Sequence, residues 1–96
     1  MAYLKDFQDT EIGGYLFHRT CSGYPEQYDV LKCGVLAGYV RLRHGWFSAR
    51  ALPSQEELVE YEFEEHHGFF EDNESRMKYL GEVAEALKLY YATRHV

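Results

Sequence analysis

Cysteine, proline, basic charge and long apolar runs are all scarce in this 96-residue chain. Two cysteines, Cys21 and Cys33, are too few for a disulfide framework, and neither belongs to a CxxC or to a cluster of metal ligands. They point to a reducing compartment. No stretch approaches the ~18 apolar residues that a membrane span needs, and the first 30 residues carry acids and glycines instead of a basic segment followed by an apolar run. The chain therefore reads as cytoplasmic, neither exported nor membrane-bound. Pro25 and Pro53 each fall in polar, turn-like stretches, and no repeat or low-complexity tract interrupts the sequence. Ten Lys and Arg stand against sixteen Asp and Glu, and a net charge of −6 opposes unaided attraction to phosphate while favouring solubility or a basic partner.

Catalytic signatures are missing too. Ser, His and Asp occur without a nucleophile elbow, and pairing either cysteine with a histidine is a match of composition alone. His66-His67 beside Glu64 and Glu65 suggests a metal, but adjacent histidines project differently and no second ligand pair with recognised spacing follows. The expectation is a protein that is not an enzyme and uses neither metal nor cofactor.

Aromatic residues, by contrast, are abundant: nine Tyr, six Phe and one Trp make 17% of the chain, and such rings suit sheets and supply core area. Residues 1–96 read as one domain. Residues 1–13 form an extension that the pattern leaves unassigned, 14–65 a sheet and 73–93 a helix. Tyr15 to Thr20 is a first strand, residues 21 to 26 a loop, and Tyr28 to Lys32 a second strand ending at Cys33-Gly34, where the chain turns back. Val35 to Arg43 and Trp46 to Leu52 are joined by His44-Gly45, a second tight turn. Over residues 54–65 two signals conflict. Ser54-x-x-Glu57 resembles a helical capping box, whereas Val59, Tyr61 and Phe63 alternate with glutamates, and period two is the favoured reading. From Asn73 to about Thr93, Met77, Leu80, Ala84, Leu87 and Tyr91 follow 3,4 spacing on one helical face, with Asp72 or Asn73 as the cap. These elements predict an α+β fold, an antiparallel meander of four to five strands covered on one face by the C-terminal helix.

The segments FHRTCSGYPEQYDV, GYVRLRHGWFSARALP, ELVEYEF and RMKYLGEVAEAL, spanning about Tyr15 to Tyr91, carry a likeness of their own. Their order resembles that of small proteins common in phage and prophage genomes, with a PEQYDV-type strand, a GYxRLRxGxF hairpin and a C-terminal helix. Cys33-Gly34 replaces the usual polar-Gly turn, and Glu56 to Glu65 with His66-His67 is heavier in acids. The resemblance implies a mobile-element origin and an accessory role in a host bacterial cytoplasm. It brings no catalytic residues.

Two surfaces stand out. A two-residue turn at His44-Gly45 sets Arg43 opposite Trp46, Leu42 opposite Phe47, Arg41 opposite Ser48, Val40 opposite Ala49 and Tyr39 opposite Arg50. Val40, Leu42, Phe47 and Ala49 then face the helix. Tyr39, Arg41, Arg43, Trp46 and Arg50 make a basic, aromatic opposite face, which could stack bases as some sheets do with RNA. The same arginines could instead pair with glutamates across strands, which suits the net charge better.

The second surface is acidic: nine of the sixteen acids lie between Glu56 and Glu74, a stretch without Lys or Arg. Glu57, Glu60, Glu62, Glu64, Glu65, Glu71 and Asp72 are its candidate contact residues. On a strand, Glu60, Glu62 and Glu64 would stand about 6.6 Å apart and could imitate a phosphate strand toward a basic groove. They could equally protect a sheet edge from aggregation. Joined to this acidic surface and the missing catalytic signature, the resemblance to phage accessory proteins implies an acidic binding protein that inhibits a bacterial defence component, in the manner of an anti-CRISPR protein, by protein contact or nucleic-acid mimicry. Its rivals are a nucleic-acid-binding module using the basic face and a structural domain that dimerises through an edge strand.

Overall fold

The computed structural model describes residues 9–21, 25–64 and 68–94. Six strands, β1 (Asp9–Ile12), β2 (Tyr15–Arg19), β3 (Glu26–Lys32), β4 (Val35–Arg43), β5 (Trp46–Ala51) and β6 (Glu57–Glu62), form one antiparallel sheet in chain order. Helix α1 (Asn73–Arg94) lies on one face of it. The α+β meander with a covering helix is as the pattern predicts, but with six strands. The addition is β1, drawn from the stretch left unassigned; Met1 to Gln8 lie outside the described residues.

Local chemistry explains the meander. Gly13-Gly14, Cys33-Gly34 and His44-Gly45 all have positive φ at both positions, the backbone of the tight turn whose twist matches that of the strands it joins. At β1 the sequence gives little warning, because Asp-Thr-Glu-Ile is short and half charged; pairing with β2 makes it a strand. At residues 54–57 the period-two pattern prevails over the capping signal. Ser54 Oγ accepts from Glu56 N at 3.2 Å, closing a local turn, and β6 begins at Glu57.

The core joins Phe17, Tyr28, Val30, Val40, Leu42, Phe47 and Ala49 of the sheet to Leu80, Val83, Ala84 and Leu87 of the helix. Backbones approach closely at Gly38, where a Cβ would stand 3.0 Å from Arg50 O and 3.2 Å from Leu87 Cδ1. The helical stripe needs one correction. Met77 is 37% exposed, while Val83, outside the expected 3,4 series, is buried. Asp72 is the cap: its Oδ1 accepts from Ser75 N at 2.7 Å, and that bond holds its carboxyl below the ordinary value.

Glu26, expected in a loop, opens β3 as a buried strand residue beside Leu42. Its carboxylate accepts from Arg76 Nε at 2.6 Å and Nη2 at 3.1 Å, from Tyr28 OH at 2.5 Å and from Phe70 N at 3.0 Å. Burial alone pushes that carboxyl up, but the bonds from Arg76, Tyr28 and Phe70 outweigh it and leave Glu26 below its ordinary value. This buried cluster locks the start of α1 and the segment before it onto the sheet.

Candidate functional site

Opposite the helix, the register assembles the sheet's outer face. Arg43 pairs with Trp46, Arg41 with Ser48, and Tyr39 with Arg50, as the two-residue turn requires. These residues line a groove of about 490 Å³ together with His44 and Glu57. Trp46 is 43% exposed, and Tyr39 OH donates to Gln27 Oε1 at 2.7 Å, which restrains its ring as part of the groove lining. All five residues of the expected basic and aromatic face are therefore brought together.

The acidic residues are divided instead. β6 pairs with β5 so that Glu62 stands opposite Trp46, Glu60 opposite Ser48 and, across an irregularity between Ala49 and Arg50, Glu57 opposite Arg50. A bulge of this kind admits one extra residue, here Leu58, and so changes which side chains share a face. Glu57, Glu60 and Glu62 thus border the basic groove. Glu64 lies past the end of β6, so the expected row of Glu60, Glu62 and Glu64 is corrected to Glu57, Glu60 and Glu62. Glu64, Glu71 and Asp72 flank a different hollow, floored by Leu42 and Phe70 near the start of α1. Glu65, with His66 and His67, lies outside the described residues.

Acidic and basic features are thus two halves of one surface. Arg41 and Glu60 are separated by the strand that carries Ser48, as Arg43 and Glu62 are by Trp46. Two strand spacings, about 9.5 Å, lie between their backbones. Among the described residues, no ion pair within 4 Å joins Arg41, Arg43 or Arg50 to these glutamates. Partial desolvation and the Glu57 carboxylate push the Glu60 carboxyl above its ordinary value, against the pull of Arg50.

A polar row missed by the sequence pattern crosses the whole sheet through Asp9, His18, Asp29, Tyr39, Arg50 and Glu57. The Asp9 side chain is fully buried and hydrogen-bonded to His18, with Oδ1 2.7 Å from Nδ1. Only correct pairing of β1 with β2 and of β2 with β3 reveals the row, and the unassigned β1 concealed it. Among the described residues no group of three His, Cys, Asp or Glu side chains is placed to hold a metal ion, and no helix is long and apolar enough to cross a membrane.

No protein-family model matches the chain, and no curated protein or solved structure does so either.

Proposed function

We propose that the protein is a small binding module that grips a protein partner through the outer face of β4, β5 and β6. The observation that carries this reading is the register that sets Arg41, Arg43, Arg50 and Trp46 in one groove with Glu57, Glu60 and Glu62 along its border. Side-by-side stripes of opposite charge suit a partner with the reversed pattern, since charges across an interface steer encounter and fix register. A uniform polyanion suits them less well: phosphates drawn to Arg50 would meet Glu57 one strand, about 4.8 Å, away. The net charge of −6 adds to that repulsion. Following the resemblance to phage accessory proteins, the partner is a bacterial defence component, inhibited by occlusion of its functional surface.

Single-stranded RNA is the second reading, favoured by the exposed Trp46 ring beside Arg43. Two measurements separate the readings. In a phage-protection or effector-inhibition assay, the pair Arg41→Glu, Arg43→Glu and the triple Glu57→Lys, Glu60→Lys, Glu62→Lys are each expected to lose inhibition, with melting temperatures within a few degrees of the parent. Full activity of both folded variants removes the outer face from the mechanism. Micromolar binding of oligonucleotides at physiological salt, steeply salt-dependent and lost on Arg41→Ala with Arg43→Ala, would replace the protein partner with RNA.

A further inference from the structure

At the end of the sheet away from Trp46, the β3–β4 turn, the segment after β5 and the last turns of α1 enclose a second groove, of about 560 Å³. Tyr15, Leu36, Ala37, Leu52, Pro53 and Tyr91 give it apolar walls, and Tyr91 spends its hydroxyl on Ala37 O and Leu52 O, leaving its ring as lining. In a chain of net charge −6, the charged side chains lining this groove are both cations, Lys32 and Lys88. Both reach the same turn between β1 and β2. A Cβ on Gly14 would lie 3.5 Å from Lys32 Nζ, and one on Gly13 4.0 Å from Lys88 Nζ. Lys32 also sits 4.9 Å from the centre of the Tyr15 ring, and Lys88 is 3.6 Å from Glu85, an exposed residue outside the groove.

We propose that this groove binds a small carboxylate amphiphile, its apolar body along Leu36, Leu52 and Tyr91 and its carboxylate between Lys32 and Lys88. Apolar walls favour the chain by removing its surface from water, and the two ammonium groups select the sign of its head. The site is separate from the outer face and stands whether or not that face binds a partner.

Octanoate, with octanol as its neutral counterpart, is the probe, titrated below its micelle concentration into the full-length ¹⁵N-labelled protein. Octanoate should give saturable shifts at the amides of Leu36, Ala37, Leu52 and Ala92, and octanol should bind about tenfold more weakly for want of charge-assisted hydrogen bonds. Lys32→Gln with Lys88→Gln, both exposed positions, should fold normally, keep the affinity for octanol and abolish the preference for octanoate. Equal binding of octanoate and octanol by the parent overturns the assignment, as does a preference that survives in the double variant. It also falls if octanoate gives no saturable shift, if anionic vesicles alone shift these amides, or if the shifts follow protein concentration alone and a second copy fills the groove.

Discussion

Arg76→Ala is expected to destabilise the protein by about 3–5 kcal/mol, because it strips two donors from a Glu26 carboxylate whose side chain is entirely buried. Small domains hold about 5–15 kcal/mol in total, so this one change should remove a large share. Glu26→Ala should cost a similar amount by leaving the Arg76 guanidinium, only 20% exposed, facing Tyr28 and the Phe70 carbonyl without its anion. The double variant Glu26→Leu, Arg76→Leu should recover only part of the loss: an apolar pair leaves neither of these two charges stranded, but Tyr28 OH and the Phe70 N–H lose their acceptor and Arg19, 3.6 Å away, loses its anion. Chemical denaturation of the four proteins measures each of these differences. Single variants within about 0.5 kcal/mol of the parent would show that the cluster contributes nothing to stability.

The same carboxylate sets an acid limit. Its folded value lies below its ordinary 4.5, so the stability it supplies is fully present above that pH and is lost as pH falls through the lowered value. The melting temperature of the parent should drop over that interval more steeply than that of the double leucine variant.

Leu80→Ala and Leu87→Ala are each expected to cost about 2–5 kcal/mol. Both side chains are fully buried between helix and sheet, and Leu87 fills the space that the missing side chain of Gly38 leaves above β4. Truncation there opens a void that close backbone contact between β4 and β5 prevents the sheet from closing. Met77→Ala, at a position that shares their 3,4 spacing, should change stability by no more than about 0.5 kcal/mol, because Met77 already meets water. Melting curves that rank Met77→Ala with the two leucine variants would contradict this placement of the helix.

These contrasts locate what the sequence makes legible. The β4–β5 pairing can be written down in advance because His44-Gly45 admits a two-residue turn, and a turn of fixed length leaves one register. Tyr39, Arg41, Arg43, Trp46 and Arg50 all follow from it. The irregularity between Ala49 and Arg50 leaves no comparable mark, since Leu58 serves equally as an ordinary strand residue and as the extra residue of a bulge; alternation alone therefore selects Glu64 where the fold selects Glu57. Glu26 is hidden for another reason: an acid after a proline in a run of polar residues looks like loop, and its burial depends on Arg76, fifty residues away. β1 contributes too few apolar side chains to announce itself, and with it the Asp9–His18 pair escapes notice.

Capture from a bacterial lysate, quantified side by side for three folded forms, tests the central claim most directly. The forms are the parent, Arg41→Glu with Arg43→Glu, and Glu57→Lys with Glu60→Lys and Glu62→Lys; Lys88→Gln, on the other side of the sheet, is the control. If the outer face is one contact surface, the same protein is captured by the parent and by Lys88→Gln and is lost from both charge-reversal variants. Retention of that protein by both reversals, with melting curves unchanged, would contradict the account.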